Sequence, residues 1–162
     1  MVDQEWLITA AGVKMPRLIY GTAWKKERTA DLVVKAIQSG FKGIDTACQP
    51  KHYDERLVGA ALRRLKDQGV ERDNLFLQTK FTALADQDPR QVPYDKNSPI
   101  ESQVIQSFEA SKNNLQNTIS RFSCASFTIG TARTFDAGVG CNGNNSKDWW
   151  SSSAGNQQLL QH

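Results

Sequence analysis

No stretch of the 162-residue chain approaches the roughly 18 consecutive apolar residues of a membrane-crossing helix, which excludes an integral helical membrane protein. Cysteine is scarce: Cys48, Cys124 and Cys141 make an odd count with no metal-site spacing. That excludes a disulfide scaffold, argues against a metal centre, and sets a reduced, cytoplasmic setting as the expectation. A dominant charge of one sign is also lacking, since 20 Lys+Arg are interleaved with 17 Asp+Glu for a net +3. Nucleic-acid binding has little to stand on, and neither a nucleic acid nor a membrane is expected as a partner. The first residues, Met1 to Ile8, carry early acids and no basic-then-apolar pattern, so no secretory signal is read there. No repeat of solenoid period is visible, and the length suits one domain.

What is present divides unevenly at Gln116. Residues 117–162 hold only three basic and two acidic side chains, but seven serines, five asparagines and five glycines. Periodicity is clear before that point and nearly absent after it. The sequence therefore predicts an ordered unit over 1–116 and a disordered tail over 117–162. The Trp149-Trp150 pair does not fit an ordinary solvated tail.

The front part alternates strand and helix. Leu18 to Tyr20 is a short apolar run stopped by Gly21, and residues 28–39 place Leu32, Val33, Ala36 and Ile37 on one helical face before Gly40. Phe41 to Ile44 is the next strand, ending at Asp45. Residues 54–68 form a second amphipathic helix through Leu57, Val58, Ala61, Leu62 and Leu65, closed by Gly69. Leu75 to Leu77 is a third strand running into Thr79 and Lys80. After a polar stretch over 82–98, Ser98-Pro99-Ile100-Glu101 reads as a capping box opening a third helix, with Val104, Ile105, Phe108 and Leu115 inward. This order predicts an α/β fold with a parallel sheet.

Asp45 and Lys80 fall just past two predicted parallel strands, and Tyr53 lies in the loop after the second. An acid, a phenol and an amine on one rim suit proton transfer. A lysine beside a tyrosine stabilises the phenolate and lowers the phenol's pKa, and a carboxylate keeps the lysine charged and oriented. The plain alternative is that strand-end acids and lysines only cap helices or solvate loops.

Four segments resemble one family. Met15-Pro16-Arg17-Leu18-Ile19-Tyr20-Gly21-Thr22-Ala23-Trp24 looks like the first strand of the aldo-keto reductases. Gly40-Phe41-Lys42-Gly43-Ile44-Asp45-Thr46-Ala47 is similar to their second-strand signature. Tyr53-Asp54-Glu55-Arg56-Leu57-Val58-Gly59 resembles the motif opening their second helix, with Asp54 where asparagine is usual. Gly69 to Lys80 resembles the third strand. The resemblance covers roughly residues 7–116 and implies the first three to four β/α units of a (β/α)8 TIM barrel. It implies reduction of aldehydes and ketones with NADPH. On that implication Tyr53 is the general acid, Lys80 tunes it, and Asp45 holds Lys80. Gly21, Thr22, Ala23 and Asp45 would meet the cofactor, and Trp24 with Tyr53 would meet a small carbonyl substrate. The alternative for Trp24 is core packing. The family's catalytic histidine has no counterpart: His52 precedes Tyr53 and His162 is the last residue. The Ser-Asn motif that meets the cofactor amide is also missing.

Codon arithmetic suggests why. Trp149-Trp150-Ser151, read one base later, forces Gly-Gly, and Gly155 to Gln161 then permits Gly-Ile-Ser-Asn-Cys-Tyr. Ile119 to Gly130 in the same shifted frame permits Tyr-Leu-Asp-Ser-Val-Val-Leu-His-Ser-Pro-Leu, similar to the family's fourth strand with its histidine. The expectation is therefore an out-of-frame tail from about residue 117. A chain so altered would be inactive, or a non-catalytic half-barrel that associates with an intact reductase.

Overall fold

The computed structural model describes residues 6–8, 14–116, 125–129 and 133–137. Its centre is a three-stranded parallel sheet in the order β3 (Ile19–Gly21), β4 (Gly43–Asp45), β5 (Phe76–Gln78). Helix α1 (Thr29–Gln38) connects the first pair and α2 (Glu55–Asp67) the second. Parallel neighbours need such a crossover, because a tight turn cannot bring the chain back to the same end. The register sets Gly21 beside Asp45 and Asp45 beside Gln78, so one row of residues crosses the strand ends.

Period-two alternation then sorts the side chains. Ile44 and Leu77, both fully buried, join Val33 and Val34 of α1 and Val58, Ala61 and Leu65 of α2 in the main core. Asp45 and Gln78 turn to the opposite face. The two helices end where glycine was expected to stop them: Gly40 and Gly69 have φ of +103° and +82°. Asp54 caps α2 by accepting a hydrogen bond from the Leu57 amide at 3.0 Å, which an asparagine would do equally well.

Helix α3 (Ile100–Asn114) differs from its sequence reading. No side chain caps its start; the Ser98 hydroxyl donates to Asp95 at 3.0 Å, and Pro99 occupies the cap position. Its inner face carries Val104, and Leu115 just beyond its end is buried too, but Gln103, Ser107 and Ser111 are equally buried along one line. The stretch before α3 is irregular but pinned. Gln49 Nε2 donates to the Asp86 carbonyl, Gln87 Nε2 to the carbonyls of Cys48 and Thr82, and the Tyr94 hydroxyl to Thr82. Phe81, Tyr94 and Val104 form a second small core beneath it.

Two strand pairs were not read from the sequence. Strands β1 (Trp6–Ile8) and β2 (Lys14–Pro16) pair antiparallel over three residues each, too short for alternation to register. Within the tail expected to be disordered, β6 (Ala125–Ile129) and β7 (Arg133–Ala137) pair as an antiparallel hairpin. Phe127, Thr128, Ile129, Thr134 and Phe135 are strand formers, so local propensity accounts for it. This hairpin forms its own sheet and does not extend the parallel one. The remaining tail positions, including Cys141 and the Trp149-Trp150 pair, lie outside the described residues.

Candidate functional site

The site is built at the carboxyl ends of the three parallel strands. Lys80 Nζ sits 2.5 and 2.6 Å from the two oxygens of Asp45, and Gln78 Nε2 donates to the same carboxylate at 2.9 Å. The strand register explains the arrangement. Gln78 is the direct cross-strand partner of Asp45, and Lys80, two residues on, lies on the same side. Asp45 and Lys80 are only 24% and 26% exposed, so the pair is partly shielded yet reachable. Gln78 was not singled out in the sequence; its register position opposite Asp45 was the available signal.

Tyr53 lies in the loop before α2, held by its amide bonding the Gln49 carbonyl at 3.0 Å. Lys80 Nζ stands 5.4 Å from the centre of the Tyr53 ring, within cation–π range. Asp45, Tyr53 and Lys80 are therefore brought together. The electrostatics differ from expectation. Burial, and then the negative charge of Asp45, push the Tyr53 phenol above its ordinary value of 10.0.

The other predicted residues fall into two groups. Gly21 is exposed and faces open space where a Cβ would project, and Ala23 is half-buried beside it. Thr22 is fully buried, and its hydroxyl and amide both donate to the Asp45 carbonyl at 2.9 and 3.0 Å. Its contact is with the Asp45 backbone. Trp24 is 64% exposed, which removes the core-packing alternative. Its ring lies 3.8 Å, centre to centre, from that of His52, the residue before Tyr53.

A neighbouring buried cluster was invisible in the sequence. Glu55, the first residue of α2, accepts hydrogen bonds from Thr79 (2.5 Å), Ser111 (2.9 Å) and Asn114 (3.2 Å). Burial raises its carboxyl above the ordinary 4.5 despite those donors. The Cys48 thiol beside it is pushed up to about 12, first by burial and then by Glu55. Among the described residues no group of acids, cysteines and histidines could hold a metal ion, and no helix is long and apolar enough to cross a membrane.

Residues 17–125 match the aldo/keto reductase family model. The NAD(P)H-dependent D-xylose reductase of Pachysolen tannophilus is 39% identical over 71 residues, 43% of this chain and 21% of that protein. The match thus spans about a fifth of its curated relative. An aldo-keto reductase of the silkworm Bombyx mori superposes with a TM-score of 0.61 at 18% identity, over 98% of this chain and 46% of the silkworm chain. Its NADPH complex superposes with a TM-score of 0.60 at 19% identity, over 98% of this chain and 45% of that one. With the family model covering most of its length and three parallel strands in the expected order, the chain belongs to the aldo/keto reductase family.

Proposed function

We propose that this chain carries the proton-donating part of an NADPH-dependent carbonyl reductase site, in which Tyr53 is the general acid. The observation that carries this reading is the Asp45–Lys80 ion pair set against the Tyr53 ring. Tyr53 gives its phenolic proton to the carbonyl oxygen as that oxygen gains negative charge. Lys80 offsets the charge left on the phenolate, and Asp45 with Gln78 keeps the ammonium in place. A raised phenol pKa keeps the proton on Tyr53 through neutral pH, as an acid requires. The nicotinamide cofactor supplies the hydride. The open space at Gly21 fits a flat ring end, which Gly21, Ala23 and Asp45 would hold; Trp24 would border the carbonyl substrate.

In the same reading residues 1–116 are the first part of a TIM barrel, and 117–162 are translated in a slipped register that removes the catalytic histidine. The family match ending at residue 125 supports a break in this neighbourhood. As written the chain should turn over little or nothing, and its setting is cytoplasmic. The test is NADPH oxidation with a generic aldehyde, comparing this chain with one whose register is restored near codon 117. Turnover by the restored chain, falling about 10²–10⁴-fold in its Tyr53→Phe variant, is expected. Equal turnover by the unaltered chain would refute inactivity, and an unaffected Tyr53→Phe would refute the acid. The edge of β5, without a strand beside it among the described residues, favours a second reading, a non-catalytic half-barrel bound to an intact reductase, which co-purification would reveal.

A further inference from the structure

We infer that His52 is a positioning residue: its ring props the Trp24 indole at the mouth of the site and so sets preference for carbonyl compounds bearing a flat, apolar group. The inference rests on the reductase reading above and concerns the same site. Two loops meet here, one following β3 and one following β4. They are joined by the Trp24 amide donating to the His52 carbonyl at 2.7 Å and by the rings, 3.8 Å apart at 38°.

Two unfavourable features converge on this contact. Trp24 has φ of +62°, a left-handed conformation that a bulky residue adopts only when its surroundings impose it. His52 Nδ1 is buried and, among the described residues, meets no hydrogen-bond partner, another uncompensated cost. Neither serves the core, because Trp24 is 64% exposed and projects from it. Local penalties of this kind gather where a side chain is held for a ligand rather than for stability. An indole lying free on a loop would sample many orientations. Held against His52, immediately before Tyr53 in the chain, it presents one fixed face. A planar substituent on the carbonyl gains area against that face, and a short alkyl chain gains little.

The test uses the 162-residue chain with Trp6, Trp149 and Trp150 changed to Phe, so that Trp24 alone emits. Acrylamide quenching of that emission should rise in His52→Ala, by no more than about 1.6-fold because the indole is already 64% exposed. It should stay near the parent value in His52→Phe, which keeps a ring. Unchanged quenching in His52→Ala would overturn the proposal. In the register-restored chain, KM for benzaldehyde should rise about two- to tenfold in His52→Ala, the range that loss of an aromatic pair implies, with kcat unchanged, while KM for propanal stays put. A fall in kcat alone, or equal effects on both aldehydes, would overturn it too. If instead Tyr53→Phe retains full turnover while the quenching result stands, the reductase reading fails and the stack does not.

Discussion

Tyr53 keeps its proton well into alkaline solution, since burial and Asp45 both raise its phenol. In a register-restored chain the alkaline limb of kcat/KM should therefore lie above pH 10.0, the ordinary phenol value. Changing Asp45→Asn removes the negative charge and releases Lys80. Both effects favour the phenolate, so that limb should move to lower pH, with a lower plateau because Lys80 loses its anchor. A pH–rate profile of the two proteins checks the sign. Cys48, 3% exposed with its thiol pushed up to about 12, is predicted to be inert. In a Cys124→Ser, Cys141→Ser background a thiol reagent should label it only after denaturant is added; rapid native labelling would contradict its burial.

Among the elements, α2 and α3 approach closely at Gly59, where an added Cβ would overlap the Asn114 carbonyl oxygen. Gly59→Ala should destabilise the fold by about 1–3 kcal/mol, read from urea midpoints. Beside this contact Glu55 ties α2 to Thr79, just after β5, and to α3. Its carboxyl holds a proton more tightly when folded than in the unfolded chain, where it titrates near 4.5. Stability from the neutral form is thus fully present below that pH and is lost as pH rises through the folded value. The groups facing it are the Cys48 thiol, Thr79, Ser111 and Asn114, and of these only Cys48 titrates, far higher. As pH rises above 4.5, Glu55→Gln should lose less stability than the parent, read from urea midpoints. A parallel decline in both would refute the assignment. These elements also mark what could be read in advance. Apolar spacing located α1, α2 and the three parallel strands, and strand ends located Asp45 and Lys80. The buried face of α3 stayed hidden because Gln103, Ser107 and Ser111 have the composition of a solvated surface. Glu55 stayed hidden because a first-turn acid ordinarily serves the helix dipole in water. The direction of the Tyr53 shift depended on its burial and on its approach to Asp45, which only three-dimensional geometry reveals.

For the whole molecule, β3 and β5 are edges of the parallel sheet among the described residues. One flank of each strand therefore offers backbone donors and acceptors without a neighbour in that sheet. The purified 162-residue chain should melt over a broad range, and a sharp cooperative calorimetric transition would contradict this. Sequencing the transcript across codons 110–125 decides the slipped register; a clean read with no family-like alternate frame would end that proposal. The segment between β5 and α3 has its own bearing on handling. Its residues lack helix or strand over most of their length, yet Gln49, Gln87 and Tyr94 lash it to the Cys48 loop and to itself. Trypsin must loosen several residues around a scissile bond before it can cut. Arg90 and Lys96, though solvent-facing, should consequently be nicked slowly, and a Gln87→Ala protein should yield the corresponding fragments first.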